Sequence, residues 1–257
     1  MDYLHYIQSL INRGVWSFTS EELGEYLGFS PKDRLSSLSR SGRVITPARG
    51  FHVIVPEEYV NSGRLPVERY IDALMKHYSR PYYVGLLTAA SYWGAAHQSP
   101  QVFQVITNYD RRNILINRNK IVFYEKKNVE VVPIAKRKSV TGYFNISTPE
   151  STFFDLVYFN QQVGGLENVG LILSELSEQM KTEALHKAIN NYPNANIQRG
   201  AYLMELLGLE KFCSILDKYL RKENIIYTYL NPSGSIERAN KHKRWKLLIN
   251  ETLELDI

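Results

Sequence analysis

The sequence predicts an α+β protein, with an N-terminal winged helix-turn-helix followed by a larger α/β-mixed domain that has a small sheet and a helical C-terminal half. Hydrophobic residues recur at helical spacing over most of the 257 residues, but with a period of two near the middle. A polar segment with Gly and Pro at 61–66 separates the two parts. We therefore expect domains over residues 1–65 and 66–257, with a sheet region about 100–146 and a helical region about 149–223.

Two short helices joined by a tight turn are predicted in the N-terminal part, after a first amphipathic helix. Thr19 and Glu22 have the spacing of a capping box, which begins the second helix. Gly28 ends that helix, and Ser30 followed by Pro31 is a preferred start for the next one, with Ser30 as N-cap. Two helices around a glycine turn, the second one basic, are typical of a helix-turn-helix.

A β-hairpin is predicted next. The β-prone runs 44–45 and 51–55 flank a turn-rich loop at 46–50, which carries Arg49 near its tip. The short apolar run 15–17 predicts one further strand. Helices followed by a hairpin with a basic tip are typical of a winged helix.

The third helix has an inner and an outer face that its sequence defines. Leu35 and Leu38 must face the core, so basic and hydroxyl side chains lie on the opposite side. Arginine can bond guanine through two donors, and serine can bond bases or phosphates. The residues expected to contact DNA are Lys32, Arg34, Ser36, Ser37 and Arg40 on the helix, with Arg43 and Arg49 on the backbone or in the minor groove. A solvated or protein-binding basic face is the alternative.

Positive charge is concentrated in three segments. The chain has 31 Lys and Arg against 26 Asp and Glu, a formal net charge of +5. Residues 30–50 have five basic side chains against one acidic, residues 110–142 nine against three, and residues 218–246 eight against two. Such segments are expected of a polyanion binder, although a solvated face is the commoner explanation for any one of them.

A second basic surface is predicted in the larger domain. A helix over 83–96 precedes short strands at 102–107, 113–116, 121–124, 129–134 and 142–145. We expect a mostly antiparallel or mixed sheet with basic loops on its rim. The residues proposed to contact DNA or a structured RNA are Arg111, Arg112, Lys126, Lys127, Lys136, Arg137, Lys138, Lys243 and Arg244. Their alternative is a solvated rim.

The sequence lacks the common catalytic and metal-binding motifs. The histidines are scattered, and the Asp-x-Asp pair of two-metal nucleotidyltransferases does not occur. One alternative is a metal-dependent nuclease in which Asp110 and Glu125 bind Mg²⁺ and Lys127 polarises the attacking water. Because Glu-x-Lys is common by chance, the favoured interpretation is a protein without catalytic residues, metal or cofactor.

A cytoplasmic protein is expected. No apolar run approaches the roughly 20 residues that a membrane span needs. Residues 1–13 lack the apolar centre of a signal peptide, and a single cysteine, Cys213, fits a reducing compartment.

Three stretches occur in an order that is similar to that of a known family. They are RGFHVIVP at 49–56, YVGLLTAASYWG at 83–94 followed by Ser99 and Pro100, and TPESTFFDL at 148–156. On these residues the chain resembles AbiEi-type antitoxins of type IV toxin–antitoxin systems, also described as predicted transcriptional regulators of viral defence systems. It departs from the family at 92–94, where members commonly have Leu-His-Gly.

The resemblance implies a two-part protein that functions in phage defence by abortive infection. Its winged helix would bind inverted repeats in the double-stranded DNA of its own promoter and repress the operon. Its C-terminal domain would neutralise a cognate nucleotidyltransferase toxin without a stable complex, so no catalytic residue is carried over. It would bind DNA as cooperating monomers or as a dimer. A winged helix that binds only proteins is the remaining alternative.

Overall fold

The computed structural model describes residues 2–95, 100–235 and 239–255. Helices and strands alternate along these ranges and form several sheets, which confirms the mixed α+β class. The predicted helix end at Ala96 and the Ser99 of the resemblance lie outside the described residues, as does Arg238 of the third basic segment.

The chain divides into two compact units, and each is described by itself. Unit 1 contains Met1–Tyr83, Gln101–Val129 and Lys136–Asn145, and unit 2 contains Val84–Pro100, Glu130–Ala135 and Ile146–Ile257. Residues 1–83 therefore share a unit with two later segments, residues 101–129 and 136–145.

Unit 1 begins with three helices and a three-stranded sheet. The helices are α1 (Tyr3–Asn12), α2 (Ser20–Leu27) and α3 (Lys32–Arg40), and the strands are β1 (Ser17–Thr19), β2 (Val44–Ala48) and β3 (Phe51–Ile54). The sheet is antiparallel in the order β1-β3-β2. Strand β1 begins two residues later than the predicted run at 15–17.

The ends of α2 follow the prediction, whereas the start of α3 does not. The Thr19 amide donates to the Glu22 carboxylate at 2.6 Å and the Glu22 amide donates to the Thr19 hydroxyl at 3.1 Å, which confirms the capping box. Ser30 as N-cap of α3 is wrong. Pro31 occupies that position, and its carbonyl accepts the Leu35 amide at 2.9 Å, so Ser30 lies one residue too early to cap the helix.

A hydrophobic core beneath α3 holds this part together. Leu38 is 3% exposed and packs with Leu10, Phe18 and Leu23 from the other elements, and Leu35 packs against the same core half-buried. The predicted inner face of α3 is therefore confirmed.

The hairpin between β2 and β3 is tighter than predicted. Because Ala48 pairs with Phe51, the loop contains only Arg49 and Gly50, which we call the hairpin tip. A register shift between Ile45 and Ala48 accommodates Pro47, which has no amide hydrogen to donate. Gly50 has φ of 74°, a conformation that favours glycine.

The middle of the chain contributes six strands to one mixed sheet, in the order β6-β7-β5-β4-β9-β8. The strands are β4 (Tyr82–Val84), β5 (Phe103–Thr107), β6 (Ile114–Ile116), β7 (Asn119–Glu125), β8 (Ile134–Ser139) and β9 (Gly142–Ser147). Strands β5 and β7 are parallel, and β6 and β7 are antiparallel, so a mixed sheet is confirmed. Short helices α4 (Glu57–Val60), α5 (Ile71–His77) and α6 (Leu86–Tyr92) lie between the strands or before them.

Two predictions for this region are wrong. The predicted helix at 83–96 begins only at Leu86, because Tyr82–Val84 is a buried strand of β-forming residues. The predicted strand at 129–134 is a 3-10 turn at Val129–Val131, and the strand starts at Ile134. Lys136, Arg137 and Lys138 therefore lie within β8 and not in a rim loop.

Five helices of unit 2 confirm the predicted helical region. They are α7 (Pro149–Tyr158), α8 (Gly165–Leu176), α9 (Thr182–Ala188), α10 (Asn194–Leu206) and α11 (Glu210–Leu220). Helix α7 is buried from Pro149 to Val157, so it forms the centre of this unit. Its buried Asp155 accepts a hydrogen bond from the Tyr192 hydroxyl at 3.0 Å, which ties α7 to the segment that precedes α10.

A small sheet closes the described C-terminal region, with β10 (Thr228–Tyr229), β11 (Asn240–His242) and β12 (Leu247–Ile249) in the order β10-β12-β11. Helix α10 holds this sheet through two buried side chains. The Gln198 amide donates to the Trp245 carbonyl at 2.8 Å, and Arg199 donates to the Leu230 carbonyl at 3.0 Å. Among the described residues, none of the helices has the length and apolar character that crossing a membrane requires.

Replacing Thr19 by Ala should lower the free energy of unfolding by about 1 kcal/mol, because the first turn of α2 loses its side-chain cap. Urea unfolding followed by circular dichroism measures this. Thr19→Ser is the matched control, since its hydroxyl can still accept the Glu22 amide. Equal stability of the two variants would contradict a capping role.

Replacing Gly200 by Ala should destabilise unit 2 by about 1 to 3 kcal/mol, because the new methyl would lie 2.8 Å from the Phe154 ring and 3.1 Å from Phe153. Thermal unfolding of Gly200→Ala measures the loss. The double variant Gly200→Ala, Phe154→Leu should recover part of it, and an equally unstable double variant would contradict the steric explanation.

Candidate nucleic-acid interface

The outer face of α3 carries the predicted DNA-contacting residues. The exposed side chains are Lys32, Asp33, Arg34, Ser36, Ser37, Ser39 and Arg40. Since the core holds Leu38 from the other side, these side chains point away from unit 1's interior. The structure therefore places the five predicted helix residues on one accessible helix.

Two of these arginines have contacts that limit their freedom. The Arg34 guanidinium lies 5.5 Å from the centroid of the Tyr3 ring, at the start of α1. The Arg40 Nε donates to the Ser36 carbonyl at 3.4 Å, one helical turn earlier. Both side chains are thus positioned by unit 1 itself, although each remains exposed.

The hairpin region contains two further predicted contacts: Arg43 precedes β2, and Arg49 lies at the hairpin tip. Arg43 is exposed just before β2, where its carbonyl accepts the Val55 amide at 2.9 Å. Arg49 is exposed at the hairpin tip, and its carbonyl lies 3.3 Å from Nε2 of His77. The His77 ring also contacts Phe51, with centroids 5.2 Å apart. The backbone of the tip is therefore held against α5.

His52 is buried beneath this surface and connects its parts. The sequence analysis did not identify it as a candidate functional residue. It is 5% exposed on β3, with Nε2 2.8 Å from the Ser20 hydroxyl and Nδ1 3.0 Å from the Thr46 hydroxyl. Its imidazole therefore joins the first turn of α2 to both strands of the hairpin. Its only sequence signal was a polar residue inside the apolar run 51–55.

Burial lowers the pKa of His52 from its ordinary value of 6.5, and the nearby His77 lowers it further. The neutral imidazole suits the site because one ring nitrogen can donate to a hydroxyl while the other accepts from one. Which nitrogen carries the hydrogen depends on the tautomer.

The predicted second basic surface is only partly accessible. Lys126 is 6% exposed, so the prediction that it lies on a surface is wrong. Its side chain is buried directly after β7. Arg244 is bound by two carboxylates at 2.7 Å each, those of Glu205 and Glu210, which offset its charge. Exposed positions are Arg112, Lys127, Lys136, Lys138, Lys243 and the ion-paired Arg244, while Arg111 and Arg137 are half-buried.

These residues do not all belong to one unit. Lys243 and Arg244 lie in unit 2, whereas Arg111 through Lys127 and Lys136 through Lys138 lie in unit 1. The structure of unit 1 thus brings seven of the nine into the same compact body as α3 and the hairpin.

The residues of the nuclease alternative are Asp110, Glu125 and Lys127. In the structure they lie at the carboxyl ends of the parallel strands β5 and β7. All three are exposed, and Glu125 pairs in register with Thr107. In the part of the chain that the structure describes, no group of three or more His, Cys, Asp or Glu could hold a metal ion.

Comparison with known proteins identifies the middle of the chain. Residues 83–206 match the family described as the AbiEi antitoxin C-terminal domain. This confirms the resemblance to AbiEi-type antitoxins over that stretch. The match supports a toxin–antitoxin role. No curated protein matches the chain significantly.

Solved structures of other proteins align with this chain. The crystal structure of the RV2827C protein from Mycobacterium tuberculosis aligns over 95% of this chain and 89% of that one, with 15% identity and a TM-score of 0.64. That similarity concerns the fold alone. The antibiotic-resistance factor ANT(2'')-Ia aligns over 59% of this chain and 88% of that one, with 12% identity and a TM-score of 0.27, which is too low to indicate a shared fold.

The stability of unit 1 should decrease as the pH falls through 6.5. The folded state lowers the pKa of His52, so its neutral form contributes stability above 6.5 that is lost as the pH approaches the lower folded value. Urea unfolding at a series of pH values between neutral and mildly acidic measures this.

His52→Gln should show a smaller decrease over the same pH range than the native protein. His186→Gln removes an exposed imidazole from α9 and is the control. If His52→Gln kept the full pH dependence, His52 would not be its source.

Proposed function

We propose that this protein is a DNA-binding transcriptional autorepressor and the antitoxin of a type IV toxin–antitoxin system. Residues 1–65 act as a winged helix-turn-helix that binds inverted repeats in its own promoter, and residues 66–257 carry the antitoxin function. The observation that carries the DNA-binding part is the exposed outer face of α3, with its three cations and its hydroxyl groups.

Helix α3 has the dimensions and chemistry of a groove-reading helix. Its nine residues span about 13 Å at 1.5 Å per residue, which fits the major groove of B-DNA. Small Ser36 and Ser37 allow close approach of the helix to bases. Arg40 would bond a guanine edge or a phosphate, and Lys32 a phosphate at the other end of the helix.

The hairpin tip acts as the wing. With only Arg49 and Gly50 in the loop, the arginine side chain stands at the extreme end of two paired strands. The hydrogen bond from His77 to the Arg49 carbonyl fixes the backbone there. An arginine held in this way would enter the minor groove or contact the adjacent backbone.

The antitoxin function rests on the family match over residues 83–206. Its partner is a cognate nucleotidyltransferase toxin, which the protein neutralises without a stable complex in the course of phage defence. Of the second basic surface, Lys126 is buried and Arg244 is ion-paired, which leaves the exposed Arg112, Lys127, Lys136, Lys138 and Lys243 and the half-buried Arg111 and Arg137.

A gel-shift assay on the DNA upstream of the protein's own gene tests the DNA-binding proposal. The native protein should retard this DNA, and Arg40→Ala with Arg49→Ala should weaken binding at least tenfold, or by about 1.4 kcal/mol. Each lost phosphate contact should also lower the dependence of affinity on salt.

Lys218→Ala with Arg221→Ala is the charge-matched control, because Lys218 on α11 and Arg221 directly after this helix both lie in unit 2. This control should bind like the native protein. No retardation by the native protein, or equal retardation by the Arg40, Arg49 variant, would overturn the proposal.

A further inference from the structure

Two arginines near the hairpin tip are held in place by tyrosine rings. Arg111, in the loop after β5, lies with its guanidinium carbon 3.3 Å from the centroid of the Tyr78 ring. Its Nη1 donates to the Tyr109 hydroxyl at 3.0 Å. Arg80, just before β4, lies 4.7 Å from the centroid of the Tyr109 ring. The Tyr78 ring and a hydrogen bond therefore hold the Arg111 guanidinium, and the Tyr109 ring holds that of Arg80, before any ligand binds.

The backbone places this pair next to the hairpin tip. Helix α5 ends at His77, whose ring contacts the Arg49 carbonyl, and Tyr78 follows directly. Ser79 has φ of 51°, which turns the chain so that Arg80 leads into β4. The Thr107 hydroxyl donates to the Pro81 carbonyl at 2.8 Å and joins the end of β5 to this turn. All of these residues belong to unit 1.

The two arginines have donors that the protein does not use. Among the described residues, neither Arg80 nor Arg111 forms an ion pair. The Arg111 Nε and the Tyr78 hydroxyl are buried without a hydrogen-bond partner. These two atoms are buried, so a ligand at the surface meets the other guanidinium donors of the half-buried Arg111 and those of the exposed Arg80. Such donors favour a ligand that accepts hydrogen bonds and carries negative charge.

The charge around the pair also favours an anion. Asp110 and Glu125 are exposed at the same edge of the sheet, where the exposed Arg112 and Lys127 balance them. The positive charges of Arg80 and Arg111 therefore remain as the local excess.

We propose that Arg80 and Arg111 form a phosphate-binding site that holds a backbone phosphate of the same duplex that the hairpin tip contacts. The site rests on the proposed function, because its ligand is that DNA. Stacked arginines with fixed donors match the geometry of a phosphodiester, and they lie beside the part of the protein that would run along the backbone. The site anchors the duplex without reading its sequence.

Fluorescence anisotropy with labelled upstream DNA, measured over a series of KCl concentrations, tests this site. The double variant Arg80→Gln, Arg111→Gln should bind about three- to tenfold more weakly per lost contact at moderate salt. Its slope of log affinity against log salt should fall by about 1 to 2. Unrelated DNA of the same length should lose affinity by the same factor, because a phosphate contact is independent of sequence.

The control is Arg221→Gln, which should keep the native slope. The Arg221 side chain is 77% exposed and directly follows α11. Since Arg111 packs on Tyr78, circular dichroism first shows whether the double variant folds. If the double variant does not fold, the single variant Arg80→Gln tests the site, because Arg80 is exposed. Its slope should fall by about 1.

The possible results distinguish failure of the phosphate-site proposal from failure of the proposed function. Native binding with an unchanged slope in the Arg80 and Arg111 variants overturns the phosphate site and leaves the DNA-binding proposal standing. Absence of DNA binding by the native protein overturns both. A reduced slope together with weaker binding to both DNA sequences supports the site.

Discussion

The hydrophobic core beneath α3 decides which side chains unit 1 presents to a partner. Leu38 is buried among residues of α1, α2 and β1, which fixes the rotation of α3 about its axis. A rotation by one residue, about 100°, would bury a charged or hydroxyl group at high cost. The outer face is therefore set by packing and not by the ligand. His52 extends the same constraint to the hairpin through its hydroxyl partners, Ser20 and Thr46.

Positive charge has three different structural roles in this protein. On α3 the three cations, Lys32, Arg34 and Arg40, are exposed. Around Tyr78 and Tyr109 the guanidinium groups are held by aromatic rings, so they lose little freedom when they bind an anion. Arg244 instead joins Glu205 and Glu210, so it stabilises the C-terminal sheet against α10 and α11. A count of charges along the chain cannot separate these roles, because it contains no information about partners.

Local patterns predicted the structure well, and distant contacts account for the failures. The capping box of Thr19 and the inner face of α3 follow from residues a few positions apart, so the sequence shows them. Strand β8 is different: Lys136 to Lys138 have no apolar alternation, and their pairing in the sheet makes them a strand. The burial of Lys126 and the carboxylates that bind Arg244, 34 and 39 residues earlier, also depend on contacts between distant segments. His52 was missed for the same reason, since Ser20 is 32 residues away.

The burial of α7 has a consequence for how long the protein persists in a cell. Nine consecutive residues of this helix are inaccessible, so a protease cannot cut it while the surrounding helices remain folded. Cleavage within α7 must therefore wait for unfolding of the helices around it, and the unfolded population sets the rate when opening and closing are fast. The lifetime of this part of the protein is thereby coupled to the stability of its core.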